Sequence, residues 1–452
     1  MAEKSFLERL LGRLGGKGGA GPQTEPDAPL KAEDLLQRRV DQEDALRDAR
    51  AAGRPFALLR PAVPIVPGRD YPGWIGGAPD LPDGAVWPQV DDVPLHFLVQ
   101  IDCSVLPDDI WHGQGPRSGW LRLFARDYWD DGPGDFVLGL WSEERGTRRT
   151  APAIDLANAE WLDRAHLQHP DRAGLTPWPL EIRLGTDTAE ANADRYQTGA
   201  QAFYAMAALD LSDRSLRPFD PASLGTLIDL LRQDLNRLAA FPDQWRSGQP
   251  AMPAEDAQFL EDYHRRVASA LEAFEAAADR VETALAAAAP AGPAFAAVVD
   301  ELVSALGAIE VPWARKQNEG KPFETVSVPL SVAPPPGFPS TWPQQYRSAL
   351  YGHAKTAYSA DPDRLPDPQR TFFEAIWAED AVLSSITMGA VPRGYYEIDH
   401  VDGEPEEEVL IEFNSSKLIG WNWADVATLI VTLSPEDLAN GRFDRLAADF
   451  TN

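Results

Sequence analysis

Apolar residues recur at three- and four-residue steps over 254–289: Phe259, Tyr263, Val267, Leu271, Phe274, Val281 and Leu285. That is the period of one helix face, and at 1.5 Å per residue such a helix spans about 50 Å. An earlier helix starts where Asp220 caps and Pro221 takes the first helical position, and runs to about Ala240. Pro290 and Pro293 break the pattern, and a third helix covers 294–308. Three amphipathic helices joined by short turns predict a helical insert over 221–310 that packs mainly on itself.

On either side the pattern changes to short extended runs. They lie at 57–60, 62–66, 95–103, 119–125 and 136–141, with turn residues such as Pro82-Asp83-Gly84 between them. Tryptophans crowd this stretch, and among β turns they read as core packing. A second β-rich region spans 382–433, after helices near 343–358 and 368–378 in an otherwise Pro-rich segment. The chain closes on SPEDL, with Ser434 as cap, Pro435 at the first helical position and Asp437 three residues on. At the other end, Phe6, Leu7, Leu10, Leu11 and Leu14 share one helical face, and a Gly/Pro linker follows. These patterns divide the chain into a tail over 1–30, a first β-rich half over 31–220, the helical insert over 221–310 and a second half over 311–452.

Two distant segments repeat one order of features. Ile75-Gly76 to Pro79, the acidic turn Asp91-Asp92-Val93-Pro94 and the strand Leu98-Val99-Gln100-Ile101-Asp102 make the first. Met388-Gly389 to Pro392, Asp402-Gly403-Glu404-Pro405 and Leu410-Ile411-Glu412-Phe413-Asn414 make the second. A further strand follows each, at 120–124 and 426–431, so a duplicated strand-turn-strand unit is expected, with Ile101 matching Phe413 and Pro94 matching Pro405.

The run GWIGGAPDLPDGAVWPQVDDVPLHFLVQID, followed by SGWLRLF, resembles the signature of the YwqG-like family, a bacterial domain of unknown function (1963). MGAVP, VLIEFNSS and the ending TLIVTLSPEDLANGRFDRLAADF are similar to its C-terminal half. The resemblance covers 55–150 and 365–450. It departs where Gly389-Ala390 replaces Gly-Gly, and where Glu412 and Asn414 replace a Gln and an Asp. It implies an α+β fold on an antiparallel or mixed sheet with internal duplication, to which the three-helix insert is added. It implies no reaction, because the family has no established activity.

Composition narrows the function classes. The chain has 452 residues, 70 acids against 41 Lys and Arg, and a formal charge of -29. That balance disfavours nucleic acid or an anionic membrane as the main partner. One cysteine, Cys103, excludes disulfide scaffolding and Cys-based zinc sites. With no apolar run near ~20 residues and no apolar leader, a cytoplasmic protein is expected. No phosphate loop or dinucleotide fingerprint is present, so no cofactor is expected. His166 and His169 lack an obvious third ligand, and no metal site is expected.

Alternation along the first repeat strand places Phe97, Val99, Ile101 and Cys103 on one face and His96, Leu98, Gln100 and Asp102 on the other. Gln100 and Asp102, with their counterparts Glu412 and Asn414, are therefore candidate binding residues. Asp102 is also placed to close the turn that follows by bonding backbone amides. The run Glu397–Glu412 holds eight acids without Lys or Arg and reads as a solvated hairpin, and Glu406, Glu407 and Glu408 could dock a basic partner. The leading expectation is a non-enzymatic binding protein for a protein or peptide. The alternative is a hydrolase using Asp102 and Glu412 in a cleft between the repeats.

Overall fold

A computed structural model of the chain describes residues 53–126, 136–152, 161–162, 175–185, 199–206, 209–247, 254–287, 292–316, 323–390, 407–424 and 426–451. The expected helices at 4–14 and 31–52, the His166/His169 loop, Pro405 and Glu406 lie outside these residues.

The strands are β1 (Phe56–Pro61), β2 (Gly73–Ile75), β3 (Asp80–Leu81), β4 (Gln89–Val90), β5 (Val93–Pro94), β6 (His96–Asp102), β7 (Trp120–Ala125), β8 (Val137–Ser142), β9 (Thr147–Arg148), β10 (Trp178–Gly185), β11 (Glu310–Lys316), β12 (Phe323–Pro329), β13 (Ile386–Met388), β14 (Glu408–Asn414), β15 (Thr428–Leu433) and β16 (Ala447–Thr451). The helices are α1 (Gly199–Ala205), α2 (Pro221–Ser247), α3 (Ala254–Ala287), α4 (Pro293–Ala308), α5 (Trp342–Ala360), α6 (Asp367–Leu383) and α7 (Pro435–Ala439). The fold is α+β. Among the described residues no helix is long and apolar enough to cross a membrane.

Ten strands form one antiparallel sheet in the order β16-β15-β14-β13-β1-β10-β2-β6-β7-β8. Its centre is β1, whose FALLRP run is buried at five of six positions, as a strand covered on both faces requires. The sheet curls until it is nearly barrel-shaped. Its far edges approach at Gly139 of β8, where an added Cβ would lie 2.7 Å from the Phe443 backbone oxygen. Only a residue without a side chain lets the 443–445 turn cover that edge. Phe136 and Phe450 close the same seam edge to face at 5.8 Å.

The order of strands mirrors itself about the β1/β10 pair. In β2/β6 the register is Trp74↔Gln100 and Ile75↔Val99, and in β13/β14 it is Thr387↔Glu412 and Met388↔Ile411. Each long strand carries a bulge at the same place, Leu98 in β6 and Leu410 in β14. Ile101 and Phe413 therefore hold equivalent positions, as the sequence repeat predicts.

The bulge corrects the simple alternation. An extra residue at Leu98 turns Phe97 onto the face of Gln100 and brings His96 and Leu98 inward. Leu98, Val99, Ile101 and Cys103 join the sheet's interior with Leu410, Ile411 and Phe413. His96 meets Trp161, another interior residue, at 5.2 Å.

The helices form a second apolar cluster that includes Trp178 of β10 and Trp313 of β11. α2 begins where Asp220 Oδ1 accepts from Ser223 N at 2.7 Å. It runs past the expected end at Ala240 and through Pro242, because Phe241 packs on Tyr263 at 5.6 Å and Trp245 on Phe323 at 5.0 Å. α2 packs on α3 and also on α5, so the cluster spans residues on both sides of position 310. Buried Asp234 of α2 caps the start of α5, accepting from Ser340 Oγ at 2.8 Å, Thr341 N at 3.1 Å and Trp342 N at 3.2 Å. The ribbon β11–β12 and the central strand β10 occupy stretches that the sequence pattern leaves irregular.

Candidate functional site

The four strand residues singled out by the repeat occupy equivalent places and make separate contacts. Gln100 is fully buried, and its Oε1 accepts from Asp80 N at 2.9 Å while its Nε2 is buried without a partner. Asp102 caps the 3-10 turn Cys103–Val105 by accepting from Ser104 N at 2.9 Å. Glu412, also buried, accepts from Thr387 Oγ1 at 2.9 Å. Asn414 donates to Ser385 O at 2.9 Å and accepts from Thr428 Oγ1 at 3.0 Å.

The structure does not bring the two pairs together. Strands β13, β1, β10 and β2 stand between β14 and β6. Five inter-strand steps amount to about 24 Å along the sheet. Gln100 and Glu412 both point away from the apolar interior that their neighbours Val99, Ile101, Ile411 and Phe413 fill. Cys103, which faces that interior, has its thiol pushed up to about 12, chiefly by burial. At neutral pH it is a thiol and a poor nucleophile.

The acidic stretch is anchored where it enters β14. Glu407 accepts from Thr432 Oγ1. Glu408 accepts from Arg54 Nη2 at 2.5 Å and lies 3.7 Å from His112 Nε2. Trp111, His112 and Gly113 form a left-handed turn beside it, with φ of 50°, 56° and 76°. Glu407 is thus tied to the adjacent strand β15, and Glu408 to Arg54 ahead of β1.

A different group of side chains stands on the outer face of β2, β6 and β7. Trp74 and Trp120 have ring centroids 6.3 Å apart. The Arg145 guanidinium lies 5.3 Å and 4.9 Å from them, and that of Arg148 lies 4.5 Å from Trp74. Cations at these distances are attracted by the ring faces. Below them is Asp80, 6% exposed. Its Oδ2 accepts from Arg145 Nε at 2.8 Å and its Oδ1 from Arg148 Nε at 2.8 Å.

The support is built from the backbone outward. β3 pairs with β9, placing Asp80 opposite Arg148. Asp80 N donates to Gln100 Oε1, and Asp80 O accepts from Arg122 Nε at 2.5 Å. Fully buried Arg122 then reaches Trp120 O at 3.0 Å, Ser142 Oγ at 2.8 Å, Glu144 O at 3.2 Å and Arg145 O at 2.7 Å. Burial draws its pKa down to about 10, against the opposing pull of Asp80, so it remains a cation at neutral pH. One guanidinium thus fixes the turn that carries Arg145 and Arg148.

That leaves the outer edges of both arginines. The Arg145 and Arg148 side chains are 43% and 54% exposed. Arg148 makes no hydrogen bond through its Nη atoms, and Arg145 Nη1 lies a loose 3.9 Å from Asp70. The adjacent Arg149 is 3.7 Å from Asp83. In the second half, Thr387, Thr428 and Ile430 hold the places of Trp74, Trp120 and Arg122, so this arrangement belongs to the first half. The sequence signal for it was local: RGTRR at 145–149 inside an acidic chain, with tryptophans on neighbouring strands.

Residues 74–168 match the family model described as a domain of unknown function (DUF1963). The YwqG-like resemblance read from the first block agrees with this match. No curated protein matches the chain. The matched segment contains Trp74, Asp80, Gln100, Trp120, Arg122, Arg145 and Arg148, the whole of the arginine–tryptophan arrangement.

Proposed function

We propose that this protein is a non-enzymatic binding protein, and that the arginine–tryptophan face of its DUF1963 segment takes an acidic segment of a protein or peptide partner. The observation that carries this reading is the clamp on Asp80. Its two carboxylate oxygens hold the Nε atoms of Arg145 and Arg148, and the indoles of Trp74 and Trp120 hold the guanidinium planes. Each arginine keeps an Nη edge for a second carboxylate. Fork-like donors fixed before binding lose little entropy when a carboxylate arrives. Asp102 and Glu412 are occupied by structural hydrogen bonds about 24 Å apart along the sheet, which favours binding over acid–base chemistry.

The test is fluorescence anisotropy with a labelled peptide rich in Asp and Glu, run from low to moderate salt. Saturable binding that weakens with salt is expected, and the R145A/R148A pair should lose it by on the order of tenfold or more. R148K keeps the charge without the fork and should fall between. Equal binding by the wild type and the double variant would overturn the reading, as would no saturable binding by the wild type.

A further inference from the structure

Three lysine or arginine side chains are buried among the described residues: Arg122, Arg347 and Lys355. Two of them have partners. Arg122 makes hydrogen bonds through Nε, Nη1 and Nη2, and Lys355 donates to Lys417 O at 3.1 Å. Arg347 is 6% exposed, and its Nε and Nη2 are buried with no hydrogen-bond partner. Its Nη1 makes no hydrogen bond and is not among the buried atoms, so one edge of the guanidinium keeps contact with solvent.

The position explains why no internal partner reaches it. Arg347 lies in the first half of α5, on the stripe that buries Tyr346, Leu350, Tyr351, Ala354 and Tyr358. These are apolar or phenolic groups, and all three phenols are already used, that of Tyr358 donating to Glu374 Oε1 at 2.7 Å. Tyr346 OH donates to Leu216 O at 3.0 Å, and Tyr351 OH to Asp380 Oδ2 at 3.0 Å. Burial lowers the Arg347 pKa, and no carboxylate acts on it in the opposite sense. An arginine cannot escape burial by losing its proton, as a lysine can. A desolvated, uncompensated cation is strongly disfavoured in a folded protein. Among the described residues no carboxylate pairs with it.

We propose that Arg347 anchors an internal oxyanion site in the helical layer, entered from its Nη1 edge, where a carboxylate or phosphate accepts from the guanidinium nitrogens. A small oxyanion supplies the missing counter-charge and the missing acceptors at once, with the planar fork setting a bidentate geometry. The site is separate from the arginine–tryptophan face and does not depend on the reading given to it.

The experiment uses the full chain, exchanged into chloride at fixed pH and ionic strength. Inorganic phosphate and acetate are then titrated separately by calorimetry and by thermal unfolding. A saturable heat is expected for one of them, and whichever binds more tightly identifies the source of the oxyanion. At ten times its dissociation constant the bound anion should raise the unfolding temperature by about 1–2 °C. R347M should lose this heat and this shift, while unfolding in chloride at or above the wild-type temperature. If R347M does not fold, R347K serves instead, and its affinity should fall by on the order of tenfold through loss of the fork. Wild-type protein that shows no saturable heat with either anion would overturn the proposal. So would a variant that responds as the wild type does.

Discussion

Gly76 and Gly389 stand at the same point of two matching strand arrangements. Gly76 N donates to Leu98 O at 2.8 Å, and Gly389 N donates to Leu410 O at 3.3 Å, each acceptor being the bulged residue of its strand. Both glycines have positive φ, +63° and +70°. The two sites differ in what surrounds them. A Cβ at Gly76 would sit 2.7 Å from Thr176 O, whereas one at Gly389 would meet the Ile110 side chain at 2.5 Å. A carbonyl in the backbone yields less readily than an isoleucine arm. Gly76→Ala should therefore cost more than Gly389→Ala, on the order of 3 against 1–2 kcal/mol. Urea midpoints for the two variants measure the difference, and the reverse order would mean that the backbone at Thr176 yields more readily than the Ile110 side chain.

Asp234 should be among the more sensitive single positions in the helical layer. Its carboxylate accepts from Ser340, Thr341 and Trp342 at the start of α5. Asp234→Ala leaves the start of α5, including the buried Trp342 amide, without its acceptor and should cost about 3 kcal/mol. Asp234→Asn keeps the shape, loses the charge and should cost less. Denaturant unfolding of both variants, followed by far-ultraviolet circular dichroism, checks the order.

Arg122 links the fold to the proposed binding face. Arg122→Met removes the donor from the Asp80, Trp120, Glu144 and Arg145 carbonyls. A loss of about 3 kcal/mol is expected, together with a looser 143–149 turn and weaker capture of the acidic peptide by on the order of tenfold. If stability falls but peptide affinity does not, Arg122 holds the fold and has no part in presenting Arg145 and Arg148.

Stability should fall steeply on the alkaline side. Burial raises Cys103 from 9.0 to about 12. It also raises Tyr263, Tyr346, Tyr351 and Tyr358 above 10.0. The folded state thus keeps protons that the unfolded chain releases once pH passes 9–10. Each such group stabilises fully below its unfolded pKa, and this contribution declines as pH rises toward its folded value. One group changes stability by up to ~1.4 kcal/mol per pH unit. The four tyrosines together should account for a loss on the order of 5 kcal/mol by pH 11. Urea midpoints between pH 8 and 11 test the slope, and tyrosine absorbance at high pH should show phenols that ionise only on unfolding.

Part of this structure was legible in the chain. The helical period over 254–289, the cap at Asp220 and the Ser434–Asp437 cap are local signals, and local interactions decide them. The repeat was legible because Gly, Pro and strand residues recur in one order. The bulge at Leu98 was not, because one inserted residue leaves the apolar pattern almost unchanged while exchanging the faces of its neighbours. β10 was missed because WPLEIRLG carries a proline, two charges and a terminal glycine that mimic a loop. Its pairing with β1 and β2 comes from tertiary context. The arginine–tryptophan face was hidden for a similar reason. Its residues lie at 74, 80, 120, 122, 145 and 148, and a strongly negative total masks a local group of guanidinium ions.

Strand β1 sits with the wrong half of the chain for its place in the sequence. It precedes the first set of strands but adds to the second, and Arg60 bonds Ser385, 325 residues later, at 3.2 Å. During synthesis at roughly 5–20 residues per second, β1 must wait on the order of tens of seconds for β13 to be made. Through that interval a row of unpaired amides and an almost wholly apolar hexapeptide stand open to any passing strand. The sheet can close only after nearly the whole chain has been translated. A message truncated before β13 would release a six-strand half of the sheet with β1 as its bare edge.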